Sequence, residues 1–155
     1  MTFPAPAGRT SQTLPEAPEE PGMPRMIFVN LPVADLAASV GFFSSLGFEF
    51  NEQFTDDKAT CMVLNDGACV MLLVEPFFAT FTTKPVTDAS GGTEAVLAVT
   101  AESREEVDAL VDRALHLGGA PALPANDEGY MYGRSFYDLD GHAWEVMWMD
   151  PSAAG

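Results

Sequence analysis

The sequence predicts an α+β domain of two tandem βαβββ modules, forming curved mixed sheets around a cavity with the helices outside. Three observations carry this. A strand, a helix and three further strands occur in the same order twice along the chain. Each half has a single helix, enough to cover one face of a four-stranded sheet, so the other face must be buried by pairing the halves. Finally, 155 residues with 47% hydrophobic content suffice for one core, but not for two independent domains and their linkers.

Residues 1–25 hold Pro4, Pro6, Pro15, Pro18, Pro21 and Pro24 among Ala, Thr, Ser and Glu, and read as a flexible arm preceding the domain. From Met26 the pattern changes. Met26 to Val33 is a strand; Asp35 caps a helix over 36–45 that carries Leu36, Val40, Phe43 and Leu46 on one side, and Gly47 ends it. Residues 48–54 alternate as a second strand. The turn Asn65-Asp66-Gly67 then joins strands over 59–65 and 68–74. This first module, 26–74, leads into a linker, 75–92, whose Phe77, Phe78 and Phe81 cover either the cavity mouth or another subunit.

The second module, 93–149, repeats the order. Glu94 to Thr100 is a strand; Ser103 opens a helix in which Val107, Leu110, Val111, Ala114 and Leu115 recur at helical spacing, and Gly118-Gly119 stops it. Strands follow at 120–123, 130–138 and 142–149, the last two turning at Asp140-Gly141, and 150–155 is a tail.

With 23 acidic against 7 basic residues the formal charge is −16. Without Arg9, Glu16, Glu19, Glu20 and Arg25 of the arm, 20 acidic and 5 basic residues remain, so the acidity belongs to the folded part. Nucleic acid is excluded as a partner, because phosphate binding depends on clustered Lys and Arg, and a membrane surface is disfavoured for the same reason. The charge serves solubility or attracts a cationic ligand. No run approaches the roughly 18 apolar residues of a membrane span, and the N-terminus lacks the apolar centre of a secretory signal, which predicts a cytoplasmic location. With Asp66-Gly67 as a two-residue loop, Cys69 falls opposite Leu64 and Cys61 opposite Leu72. The two cysteines then sit on different faces, which predicts no disulfide between them.

Two segments carry a more specific signal. The opening Val29-Asn-Leu-Pro-Val-Ala-Asp35-Leu, with Phe42-Phe43 and Leu46-Gly47-Phe48, and the closing Phe136-Tyr-Asp138-Leu-Asp140-Gly141-His-Ala-Trp-Glu145 are the segments in question. They resemble the two signatures of the vicinal oxygen chelate superfamily, which groups glyoxalases, bleomycin-resistance proteins and extradiol dioxygenases. With the internal repeat the resemblance covers 26–149 and is nearest to glyoxalase-like, lactoylglutathione-lyase-like members. Because the superfamily spans lyases, dioxygenases, epimerases, thiol transferases and non-catalytic drug-binding proteins, the fold selects no function. The resemblance implies metal ligands on the first and last strand of each module. Those positions fall on Phe28 and Leu72 in the first module and on Glu94 and Glu145 in the second. Two carboxylates are half a site, short of the three protein ligands common in transition-metal catalysis; the cofactor stays unknown, with the donor set favouring the absence of a divalent metal.

Asn30 shares the face of Phe28 and can add an oxygen. Glu94 and Glu145, as carboxylates with apolar neighbours, call for a proton or a cation, and Arg134 is the candidate partner. Tyr132 is the aromatic placed to offer a hydroxyl. The ligand cavity is thus read as Phe28, Asn30, Leu72, Glu94, Tyr132, Arg134 and Glu145, with Glu145 as candidate catalytic base and Glu94 with Glu145 as an incomplete metal pair. His116 lies off its helix's apolar stripe, His142 reads as a turn residue facing away from Glu145, and Cys61 reads as packing. Two functions stay open. One is a glyoxalase-like protein that binds a small organic molecule, with lyase-type or dioxygenase-related activity. The other is a metal-free protein of the bleomycin-resistance type that sequesters a cationic drug or metabolite. A third reading, a structural or regulatory subunit, applies if Phe28, Leu72 and neighbouring aromatics fill the cavity. The resemblance also implies a homodimer.

Overall fold

Asp35 and Ser103 each begin a helix for the same local reason. Each has extended backbone and a side-chain oxygen that accepts a hydrogen bond from the third residue onward, Ala38 N–H at 3.0 Å and Glu106 N–H at 3.1 Å. The computed structural model that shows this describes residues 22–153 together with positions 2, 8, 13–17, 19 and 20. About half of the arm expected over 1–25 lies outside the described residues.

In the first module, β1 (Ile27–Val33) leads to α1 (Leu36–Ser45), then β2 (Glu49–Asn51), β3 (Ala59–Asn65) and β4 (Ala68–Val74). The linker contributes a single helical turn, α2 (Glu75–Phe78). The second module follows with β5 (Val96–Thr100), α3 (Arg104–His116), β6 (Ala120–Pro121), β7 (Asn126–Asp127), β8 (Met131–Tyr137) and β9 (Ala143–Met149). The first sheet has the order β1-β4-β3-β2 and the second β5-β9-β8-β6, with β7 also on β8. In both, the first strand runs parallel to the last and the remaining pairs are antiparallel, so the same topology occurs twice. The helix between first and second strand is the crossover that such a parallel pair requires. Among the described residues, no helix is long and apolar enough to cross a membrane.

Three elements differ from the sequence expectation for identifiable reasons. The second strand ends at Asn51, because the Asn51 side chain accepts from Gln53 N–H and turns 52–54 into a tight helical turn. The strand at 120–123 stops at Pro121, where the missing N–H and a second proline at 124 prevent continuation. The hairpin 59–74 keeps its strands and its turn, but the pairing slips between Val63 and Asn65, so Leu64 is an extra residue.

One apolar core joins the modules. Leu31, Val33, Met62, Val70 and Leu72 of the first sheet meet Phe42 and Phe43 of α1, and the cluster continues through Val107, Val111 and Ala114 of α3 to Phe136, Trp144 and Val146. Phe43 is the hinge of this arrangement: its ring lies 5.0 Å from Phe42 and 5.2 Å from Trp144. Burial of such a ring stabilises by about 2–3 kcal/mol. Leu36 and Val40, expected on the apolar stripe, are half-buried, while Ser39 is buried because its hydroxyl donates to Asp140 Oδ2 at 3.3 Å. The other Asp140 oxygen accepts from Ala34 N–H at 2.8 Å, and His142 Nε2 donates to the Pro32 carbonyl at 2.7 Å. The Asp140-Gly141 turn of the second module is thus clasped to the start of α1 in the first. Asp138 organises that turn from within, accepting from the Trp144 indole at 2.9 Å and from the N–H groups of Asp140 and His142 at 3.0 Å. Burial pushes its carboxyl above the ordinary carboxylate range.

Candidate functional site

Each sheet has a face without a helix, and its composition follows from strand register. Residues paired side by side share a face. On the first sheet, Phe28 pairs with Cys69 and Asn30 with Met71; on the second, Val96 pairs with Ala143 and Ala98 with Glu145. Relative to the helix caps Asp35 and Ser103, Phe28 and Val96 occupy the same place, as do Asn30 and Ala98. The four first-strand and last-strand positions that the duplication makes equivalent are therefore Phe28 and Met71 in one module and Val96 and Glu145 in the other.

This geometry redistributes the expected cavity residues. Leu72 pairs with Leu31, on the helix-covered face, and is fully buried in the core. The sequence reading is off by one residue on β4, and one step along a strand reverses the face. Glu94 lies two residues before β5 and is exposed, so Val96 takes the place assigned to it. Tyr132 and Arg134 pair with Trp148 and Val146, which puts both on the helix-covered face. There the Tyr132 hydroxyl donates to Asp108 Oδ1 at 2.6 Å, and Arg134 reaches Asp108 at 3.0 Å and Asp112 at 2.8 Å. The expected partnership of Arg134 with Glu145 is replaced by docking of α3. The bond from Tyr132, and then Arg134, hold the Asp108 carboxyl below its ordinary range.

Phe28, Asn30 and Glu145 stay on the helix-free faces. Phe28 is 50% exposed, Val96 58%, and Glu145 is half-buried opposite Ser135 and beside Ala98. Next to it, a side chain at Gly133 would begin 3.5 Å from Glu145 Oε1, so the glycine leaves the carboxylate open. Among the described residues, neither Glu94 nor Glu145 has an ion pair or a side-chain hydrogen bond.

Between the free edges of β1 and β5 lies a cleft of about 470 Å³, roofed by the strap that follows α2. Asn30, Lys84, Thr87, Glu94 and His142 give it polar points, with Val29, Leu31, Val86 and Leu97 between them. A second cleft of about 430 Å³ lies beyond the strap and shares Val86, Thr87 and Ala89 with the first; Glu75, Asp88 and Asp140 line it. The strap is pressed close to the second module: a side chain at Gly141, which has φ +91°, would begin 2.9 Å from the Ala89 carbonyl oxygen. His142, which sequence reasoning set aside as a turn residue, borders both clefts; its signal was its place after the clasping turn.

The cysteines also differ from expectation. Because Leu64 is extra, Cys69 pairs with Val63 and Cys61 with Met71, so both thiols lie on the helix-free face of the first sheet. Both are buried. Burial, and then a hydrogen bond with Cys69, push the Cys61 thiol up to about 11, which makes it a poor nucleophile at neutral pH.

The donor set does not fit a catalytic divalent ion. Three of the four equivalent positions are Phe28, Met71 and Val96, and among the described residues no group of three His, Cys, Asp or Glu side chains can hold a metal. A half-buried carboxylate with apolar neighbours and no counter-charge can instead receive a cation from outside.

Residues 25–65 match the family described as bleomycin resistance protein-like N-terminal. No curated protein sequence matches the chain. Among solved structures, a hypothetical protein from S. aureus is similar with a TM-score of 0.70 and 28% identity, over 81% of this chain and 95% of that one. A glyoxalase-related enzyme from Fulvimarina pelagi gives 0.68 and 22%, over 80% and 87%. The fosfomycin resistance protein FosX from Listeria monocytogenes gives 0.60 and 19%, over 84% and 98%.

Proposed function

We propose that this chain, a member of the vicinal oxygen chelate superfamily, is a metal-free binding protein for a small organic cation with an apolar body. The observation that carries this reading is the pairing of a lone, unpartnered Glu145 with apolar residues at the three positions equivalent to it. Such a surface offers an organic cation one charge-assisted contact and extensive apolar area, and offers a metal ion one ligand. Apart from this surface, the cleft beside Asn30 and Glu94, which Glu145 does not line, also has the volume of a small-molecule site. A lyase reaction started by Glu145 would also need a group to hold the developing oxyanion, and Arg134 is occupied by Asp108 and Asp112. The match of the first module to bleomycin-resistance-like sequences supports the binding reading further.

The chain works as a homodimer, in which a second copy shelters the helix-free faces. Phe28, Val96 and Met149, each about half exposed on those faces, are the apolar residues that such a partner buries. Calorimetric titration with a cationic glycopeptide at low salt tests the proposal. Saturable binding is expected, weakened about tenfold by Glu145→Gln and by added salt. Absence of binding to the glycopeptide, with a melting temperature that rises on adding a divalent cation, overturns it in favour of a metalloprotein.

A further inference from the structure

The two thiols on the helix-free face of the first sheet belong to no step of ligand binding, yet the fold brings them together. Asn65 pairs with Ala68 at the turn, the pairing then skips Leu64, and from there Val63 faces Cys69 and Cys61 faces Met71. Cys61 and Val63 share a face, as do Cys69 and Met71, which makes Cys61 and Cys69 diagonal neighbours on adjacent strands. The bulge beside them adds to the local twist of the hairpin. Only 2% of Cys61 and 7% of Cys69 is exposed. The chain has no third cysteine.

We propose that Cys61 and Cys69 are a modification site, a dithiol that a peroxide converts into a disulfide across the β3–β4 hairpin. One thiol gives up its proton and attacks the peroxide, taking one oxygen as a sulfenic acid while the other oxygen leaves as water. The second thiol then displaces hydroxide from that sulfur, which leaves as water with its proton. Two thiols are oxidised, one peroxide is reduced, and two waters form. Burial directs the outcome. A peroxide is small enough to arrive where glutathione or another protein's thiol is not, and the sulfenic acid has a single thiol within reach. The raised Cys61 thiol slows the first step at neutral pH and makes it faster as pH climbs toward about 11.

The test treats the full chain with hydrogen peroxide, quenches it, blocks remaining thiols under denaturing conditions and measures the mass. Loss of both thiols with the mass of two hydrogens is expected. Cleavage on the N-terminal side of Asp66 then gives two peptides joined through Cys61 and Cys69, separated by dithiothreitol. In Cys69→Ala, Cys61 is expected to stop at a sulfenic acid that dimedone traps. Sulfinic acid on either wild-type cysteine, a disulfide between two chains, or two unmodified thiols under conditions that oxidise the denatured chain would each overturn the proposal.

Discussion

The helix-free faces of the two modules share a backbone and differ in chemistry. On the first, Phe28, Cys69, Met71, Cys61 and Leu73 are apolar and the polar Asn30, Glu49 and Asn51 stand on the edge strands; on the second, Glu145, Ser135 and Gly133 of the inner strands interrupt Val96, Ala98 and Ala143. The helices differ in the same sense. α1 is held by the rings of Phe42 and Phe43 and by the Ser39 hydroxyl, whereas α3 adds Asp108 and Asp112 on Tyr132 and Arg134 to its aliphatic contacts. A duplicated fold thus needs only its apolar pattern and its caps kept in both copies. The polar groups that could carry function are free to drift apart.

The contrast can be broken in three places. Phe43→Ala removes the ring that joins α1 to Trp144, and a loss of about 3–5 kcal/mol is expected in denaturant unfolding, with little dependence on salt. An effect below about 1 kcal/mol would mean that α1 is not the keystone between the sheets. Asp140→Ala leaves the Ala34 N–H and the buried Ser39 hydroxyl without their acceptor, so about 1–3 kcal/mol is expected, together with faster amide exchange at Ala34. Unchanged exchange there would show that the clasp is dispensable.

Asp108→Ala has the smallest expected effect, about 1 kcal/mol, because the carboxylate is half exposed. Its signature is the pH profile. The folded-state pKa is lowered by Tyr132 and Arg134, so its contribution is present above the ordinary carboxylate pKa and disappears as pH falls through the lowered value. The variant should therefore lose stability at neutral pH and match the wild type at strongly acid pH; parallel curves throughout would contradict the assigned pairing.

The parts of this fold that could be read from sequence are those decided locally. Asp35, Ser103 and Gly47 mark helix ends through their own side chains or backbone, and Gly47 has φ +99°, which few other residues tolerate. The hairpin turn follows from Asn65, whose side chain accepts from Gly67 N–H at 2.7 Å. The site was less legible because it depends on parity along strands. Leu72 and Glu94 were placed by position within a resemblance: a slip of one residue puts Leu72 in the core, and a slip of two leaves Glu94 ahead of β5, where it lines the cleft instead of the helix-free face. Leu64 reversed the relation of the cysteines through a bulge that no residue type announces. Arg134 was expected beside Glu94 and Glu145, and the docking of α3 pairs it with Asp108 and Asp112 instead.

The strap over 86–89 is a wall one backbone thick, with a hollow on either side, resting on Gly141 where no side chain could fit between. Val86, Thr87 and Ala89 face both hollows, so a single replacement in this segment reshapes the two together and neither can be altered from here alone.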